Sequence, residues 1–214
     1  MIDLILASKS PRRKELLRGM GLSFEVMQQD ADESYPPGMP AAEVAVHIAA
    51  NKARAFEEAI HKKGRTDNKV LGEDKLLLAA DTIVVLEGEI LGKPADSEMA
   101  ARMLEKLSGK KHEVITGVAL LNMGKRYNNG ELHTFSSMTS VYFAPLSMKE
   151  IRFYIDNYRP FDKAGAYGIQ EWIGYNKITR IEGSYTNVVG LPTEMLYEYL
   201  NRLYPQAFSS SGRI

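Results

Sequence analysis

A long apolar run that contains a single carboxylate limits the possible folds of this chain. Leu76 to Ala80 is continuously apolar, and the run resumes from Ile83 to Leu86 after Asp81 and Thr82. Such a run predicts a buried strand. A buried carboxylate is unfavourable unless a metal, a cation or a proton-transfer role accounts for it. Asp81 therefore indicates either a functional group or a residue that only caps the end of a strand.

Helices and strands alternate along the rest of the chain. A short strand at 4–7 is followed by a helix over 12–21, because Ser10 and Pro11 are favourable residues for a helix start. The other predicted strands are 24–27, 90–91, 113–120, 134–143 and 173–181, and the other helices are 41–62, 97–107, 147–157 and 192–203. The pattern predicts an α/β protein with a mixed sheet.

Length and composition bound the class of protein. The 214 residues, 44% hydrophobic and 25% charged, are typical of one globular domain, which we predict over 1–206 with a disordered tail at 207–214. The zero net charge argues against a general nucleic-acid binder. The absence of Cys excludes thiolate metal sites. With no signal peptide and no run of ~20 apolar residues, we expect a cytoplasmic protein that does not enter a membrane.

A basic, hydroxyl-rich turn separates the first strand from the first helix. It carries Ser8, Ser10, Arg12 and Arg13. Together with the amides of a helix start, these side chains suit a triphosphate. They equally fit an ordinary capped helix. Basic residues in a first turn oppose the helix dipole, which favours the functional interpretation slightly.

Other candidates depend on how the chain folds. Lys52, Lys93 and Lys163 are phosphate ligands only if they share a pocket, and singly each is more typical of a surface charge. The small residues of segment 164–170 have two interpretations. In one, they let the backbone approach a ligand while the Gln170 amide contacts a base edge; in the other, they form only a packed glycine corner. The four His residues lack metal-ligand spacing, and both common nucleotide-binding glycine motifs are missing.

Taken together, these motifs resemble the Maf family, in order and over nearly the whole chain. The matching segments are 6–17, 80–84, 92–94, 107–112, 162–170 and 183–192. The resemblance implies a nucleoside triphosphate pyrophosphatase with an elongated mixed-sheet α/β fold, two lobes around a cleft, related to the inosine triphosphatases. It also implies a homodimer and a divalent cation. Arg12, Thr82 and Gln170 match the branch that acts on dTTP and UTP rather than on 7-methyl-GTP.

The resemblance also implies roles for individual residues. Asp81 would be the proton acceptor, and Glu33 would help it hold Mg²⁺ or Mn²⁺, since hard cations prefer oxygen ligands. The implied phosphate ligands are Arg12, Arg13, Lys52 and Lys93, of which Lys52 and Lys93 also act in catalysis, and the other implied substrate contacts are Ser8, Thr82, Lys163 and Gln170. The expected reaction is attack of a deprotonated water on the α-phosphorus, with departure of pyrophosphate.

Two other functions compete with this hypothesis. A nucleotide-sensing regulatory protein that inhibits septum formation would bind nucleotide without turnover, although the intact set of acidic and basic residues favours chemistry. An RNA-binding module is disfavoured, because the net charge is zero and no basic stripe with interleaved aromatic residues is present.

Overall fold

The apolar run forms the strand β3 (Lys75–Leu86), which is buried along most of its length. A computed structural model of the chain, which describes residues 3–62, 75–123 and 130–204, places β3 in a seven-stranded sheet. The other strands are β1 (Asp3–Ala7), β2 (Phe24–Met27), β4 (Glu89–Leu91), β5 (Lys111–Asn122), β6 (Leu132–Phe143) and β7 (Ile178–Glu182). Their order is β2-β1-β3-β5-β6-β7, with β4 paired to β3.

Strand direction confirms the prediction of a mixed sheet. β1 runs parallel to both β2 and β3. By contrast, β4 is antiparallel to β3, and β7 is antiparallel to β6.

Helices flank this sheet, and most begin and end close to their predicted positions. They are α1 (Pro11–Gly19), α2 (Ala41–Lys62), α3 (Ser97–Leu107), α4 (Met148–Tyr158), α5 (Trp172–Lys177), α6 (Tyr185–Val189) and α7 (Thr193–Leu203), with a short 3-10 turn at Ala164–Ala166. The hydroxyl of Ser10 accepts a hydrogen bond from the Arg13 backbone at 3.4 Å and so caps α1. A capping box formed by Ser147 and Glu150 starts α4.

One element was predicted wrongly. The segment 173–181 was expected to be extended, but α5 continues to Lys177 and only β7 is a strand. The side chain of Ile173 is buried in a core cluster, and the backbone amides of Gly174 and Tyr175 donate to the Glu171 carbonyl. Tertiary burial has therefore overridden the strand preference of this stretch. The polar sequence of 63–75 predicts a surface loop; residues 63–74 lie outside the described residues, whereas Lys75 begins β3. The tail predicted at 207–214 also lies outside the described residues.

The chain forms two compact units. The first comprises the described residues within Met1–Asp81, Gly117–Ser136 and Gly190–Ile214, and the second comprises Thr82–Thr116 and Ser137–Val189. Whether 1–206 behaves as a single domain stays a prediction. None of the described helices combines the length and apolarity that crossing a bilayer requires.

In the first unit, side chains that alternate along β3 are covered on both faces of the sheet. Leu76, Leu78 and Ala80 belong to one cluster, which also contains residues of α1 and α7. Leu77 and Ala79 belong to a second cluster, which contains the α2 residues Ala49, Ala53 and Phe56. Since successive residues of a strand point to opposite faces, burial of both faces explains why the sequence of β3 is continuously apolar.

The second unit has a separate core, in which α3 and α4 cover the other half of β3 and the adjoining strands. Its largest buried side chains include Leu104, Leu107, Ile151 and Tyr154. His112, the second residue of β5, lies in this core. Its Nε2 is 2.7 Å from the hydroxyl oxygen of Tyr167, and burial lowers the pKa of His112 to about 4.

We expect His112 to make stability fall as the solution becomes acidic. Its folded pKa of about 4 lies below the value of about 6.5 for an exposed histidine, so the unfolded state binds the proton more readily between these two values. The stability that the uncharged His112 side chain contributes to the folded state is complete above pH ~6.5 and is lost as the pH falls toward 4. From pH 7 to pH 5, the free energy of unfolding should fall by about 2 kcal/mol through this residue.

Urea unfolding at the two pH values measures this loss. The variant His112→Gln, which cannot titrate in this range, should lose most of the difference between pH 7 and pH 5. An identical difference in wild type and variant would show that His112 is not the group responsible.

Candidate active site

Asp81 continues the set of β3 side chains that face α2. Leu77 and Ala79 pack with α2, and Asp81 follows them at the same spacing of two residues. Lys52 lies on α2, three residues after Ala49, and so presents its side chain to the same face. Its Nζ is 2.6 Å from Asp81 Oδ1. The carboxylate in the apolar run therefore has a cationic partner.

Glu33 brings a second carboxylate to the same ammonium group. Its Oε1 lies 2.7 Å from Lys52 Nζ, and it belongs to the acidic, Pro-rich segment between β2 and α2. The side chains of Asp81 and Lys52 are 12% and 17% exposed, whereas that of Glu33 is 48% exposed. One ammonium thus bridges a mostly buried carboxylate and a half-exposed one.

The turn between β1 and α1 is held by its own side chains. Ser8 Oγ accepts from the Ser10 backbone at 3.2 Å and from Arg13 Nη1 at 3.3 Å. Arg13 Nε donates to the carbonyl of Gly190 at 2.7 Å. Arg13 therefore fixes the turn against the segment that leads into α7, which the sequence did not predict.

Arg13 also interacts electrostatically with the carboxylate pair. Burial lowers the pKa of its guanidinium, while the negative charge of Asp81 opposes this shift, Arg12 adds to it, and Glu33 opposes it. Arg12 is half-buried. The first unit thus contains six of the predicted site residues: Ser8, Arg12, Arg13, Glu33, Lys52 and Asp81.

The remaining predicted site residues belong to the second unit and are Thr82, Lys93, Lys163 and Gln170. Lys93 and Gln170 are exposed. Lys163 is buried, and its Nζ lies 2.7 Å from Asp162 Oδ1 and 3.0 Å from Glu171 Oε1. Its positive charge is therefore paired with protein carboxylates, and its contact with substrate stays a prediction.

The segment before Gln170 is a tightly packed glycine corner, as one of the two interpretations predicted. A Cβ on Gly168 would lie 2.8 Å from the Glu171 carboxyl carbon. The hydroxyl of Tyr154 accepts from the Gly168 amide at 2.9 Å and donates to Glu171. This packing holds the backbone that carries Gln170, without showing what the Gln170 amide binds.

Comparison with known proteins decides the family. A family model described as Maf-like protein matches residues 3–203. The chain belongs to the Maf family. Its resemblance to Maf proteins in sequence motifs is thereby confirmed, and the match extends through the described parts of both compact units.

Several Maf relatives carry the name dTTP/UTP pyrophosphatase. The one from Phocaeicola vulgatus is 47% identical over 201 residues, which are 94% of this chain and 95% of the relative. That from Porphyromonas gingivalis is 47% identical over 198 residues, 92% of each chain. That from Bacteroides thetaiotaomicron is 44% identical over 202 residues, 94% of this chain and 96% of the relative.

Among solved structures, a dITP/XTP pyrophosphatase from Mycobacterium abscessus covers 96% of each chain with a TM-score of 0.43 and 14% identity. A likeness this weak carries no conclusion about the Maf chain.

Asp81 and Glu33 fit the hard divalent cation that Maf resemblance implies. Both carboxylates contact the same Lys52 Nζ, at 2.6 and 2.7 Å, so they lie close enough to share one ion. Mg²⁺ is commonly held by one or two carboxylates together with substrate phosphates. Among the residues that the structure describes, no cluster of three or more His, Asp or Glu could hold a metal. Mg²⁺ that is held by two carboxylates commonly takes substrate phosphates and waters as its further ligands.

Proposed function

We propose that this protein is a nucleoside triphosphate pyrophosphatase that hydrolyses dTTP and UTP, and modified pyrimidine nucleotides with the same base edge, to the monophosphate and pyrophosphate. The observation that carries the proposal is the Asp81–Lys52–Glu33 cluster, in which one ammonium group contacts two carboxylates in the first unit. The names of the relatives support the choice of dTTP and UTP.

In the proposed reaction, Asp81 accepts a proton from a water that attacks the α-phosphorus. The bond from the α-phosphorus to the bridging oxygen breaks, and pyrophosphate leaves. The positive charges of Lys52 and Arg12 offset the charge that develops on the phosphate oxygens. A Mg²⁺ or Mn²⁺ ion held by Asp81 and Glu33 would add to this neutralisation when bound.

Other residues complete the proposal. Lys93 and Lys163 are proposed as further phosphate ligands, with Thr82 and Gln170 as contacts to the base. We also propose a cytoplasmic homodimer, which rests on the family resemblance and is tested by light scattering of the purified protein.

Pyrophosphate release by the purified protein tests the function. The substrates are dTTP, UTP, CTP, GTP and 7-methyl-GTP, each with Mg²⁺ or Mn²⁺. Selective turnover of dTTP and UTP supports the proposal. Binding of nucleotide without turnover of any substrate would contradict it and favour the regulatory function.

A further inference from the structure

The first half of α2 packs on the sheet of the first unit through its own backbone. A Cβ built on Gly117, in β5, would lie 2.3 Å from both the carbonyl carbon and the carbonyl oxygen of Ala45, and 2.4 Å from the Val46 nitrogen. These atoms belong to the helix backbone, so no change of rotamer can move them aside. Gly117 therefore lets α2 lie closer to β5 than any other residue at this position would.

Space alone requires a glycine at this position. Gly117 lies outside the left-handed backbone region, in contrast to Gly109 and Gly165, whose φ is 67°. Its backbone conformation is therefore open to other residues. A glycine inside a strand weakens the strand and often marks the close approach of another backbone. Here that backbone is the helix α2.

Small side chains continue this close contact along α2. Ala45 is fully buried, and one core cluster contains four further alanines from α2 and the two strands that it covers: Ala49, Ala53, Ala79 and Ala119. Lys52 precedes Ala53, and Asp81 follows Ala79 on the same face of β3. The separation between α2 and the sheet therefore sets the distance that the Lys52 side chain spans to reach Asp81.

The Lys52 ammonium tolerates little change in that separation. Its Nζ lies 2.6 Å from Asp81 Oδ1, on the sheet, and 2.7 Å from Glu33 Oε1, in the segment before α2. A Cβ at residue 117 would reach an ordinary van der Waals separation of about 3.5 Å only if α2 and β5 moved apart by about 1 Å. Misplacement of a reacting group by about 1 Å can slow a reaction about a hundredfold.

We propose that Gly117 is a positioning residue: by letting the α2 backbone lie against β5, it sets the place of the Lys52 ammonium beside Asp81. The proposal rests on the proposed function, in which Lys52 offsets charge on the phosphate oxygens and Asp81 accepts a proton. Gly117 has no side chain with which to take part in the reaction. It acts through α2, so its replacement should affect turnover only while Lys52 is present.

The ammonium protons of Lys52 report its position in the absence of nucleotide. In ¹H–¹⁵N spectra, the Lys52 signal is identified by its disappearance in Lys52→Met. Two ionic contacts slow the exchange of these protons with water in wild type. Gly117→Ala should shift the signal or remove it through faster exchange. Leu196→Val is the matched control, because Leu196 is buried on the other face of the sheet, so this substitution lowers stability without moving α2, and the signal should stay.

Kinetics with UTP show whether this position of Lys52 matters for the reaction. kcat and KM are measured for wild type, Gly117→Ala, Lys52→Met and the double variant, with urea unfolding of each. Gly117→Ala should lower kcat about tenfold or more with little change in KM, because the charge on the phosphate oxygens develops in the transition state. In the Lys52→Met background the same substitution should have little further effect. Leu196→Val should keep the wild-type kcat.

Three results would overturn the proposal. The first is a folded Gly117→Ala protein with the wild-type ammonium signal, the second is the same protein with the wild-type kcat, and the third is an equal loss of kcat with and without Lys52. If Gly117→Ala does not fold, Ala49→Ser, which adds one atom on the α2 side of the contact, takes its place with the same expected results. A wild-type protein that hydrolyses no nucleotide contradicts the proposed function instead, and the ammonium signal then decides by itself whether Gly117 positions Lys52.

Discussion

Replacement of Asp81 by Asn is expected to lower the rate of pyrophosphate release about a thousandfold while the protein stays folded. The amide has the size of the carboxylate but cannot accept the proton of the attacking water. The fold should tolerate the change, since Lys52 keeps its ion pair with Glu33 at 2.7 Å. The measurement is kcat with UTP over a range of Mn²⁺ concentrations, with urea unfolding of the same preparation.

Asp30→Asn is the matched control. Asp30 is exposed and pairs with Lys9 at 2.9 Å, so this variant also removes one carboxylate from an ion pair in the first unit. It should keep wild-type turnover. If Asp81 acts only by holding the cation, a higher Mn²⁺ concentration restores the activity of Asp81→Asn. Turnover near wild type in the folded variant would exclude Asp81 as the base.

Much of the fold was predictable from the sequence because buried strands and helix caps leave local sequence patterns. The continuous apolar sequence of β3 reflects helices on both faces, and the caps at Ser10 and Ser147 marked helix starts correctly. The error at 173–181 has a physical cause. Strand preference there is a local property, whereas burial of Ile173 depends on residues far away in the sequence.

The candidate site was predictable in its residues but not in its contacts. Asp81 was conspicuous as a carboxylate in an apolar run, yet its partner Lys52 lies 29 residues away. The two side chains meet because side chains alternate between the faces of β3 and because Lys52 lies on the side of α2 that covers one of these faces. Outside the candidate site, Thr116 is buried in β5 and donates to the Asn187 carbonyl at 3.0 Å, but its sequence gave no sign of this, because a strand threonine has the same sequence pattern whether it is exposed or buried.

Asn187 and Arg13 show two further limits of the sequence. Asn187 belongs to a segment that matched the family pattern. Nothing in the sequence indicated that its Nδ2 would donate to residues of two strands, the Val114 carbonyl in β5 and Thr139 Oγ1 in β6. Arg13 was predicted as a phosphate ligand, and the structure adds a hydrogen bond to Gly190 that holds the turn in place. Residues separated by 177 positions meet there, and no local pattern encodes such a contact.

Replacement of Lys52 by Met should have two opposite effects: turnover falls about a hundredfold or more, and Mn²⁺ binds more tightly. Met keeps a long unbranched side chain at this position and is a good helix former, so α2 should persist. Turnover falls because a cation near the phosphates is lost. Mn²⁺ affinity rises because the ammonium no longer competes for the carboxylates of Asp81 and Glu33, which it contacts at 2.6 and 2.7 Å.

Titration calorimetry with Mn²⁺ in the absence of nucleotide separates these two effects from a loss of folding. Lys106→Met is the matched control, because it removes an ammonium from an exposed ion pair with Glu89 at 2.7 Å in the other unit. It should change neither turnover nor metal affinity. If Lys52→Met weakens Mn²⁺ binding, the ammonium and the cation do not share the two carboxylates, and the metal assignment to Asp81 and Glu33 is wrong. If binding tightens while turnover collapses, Lys52 acts on the phosphates and holds the carboxylate pair in the absence of metal.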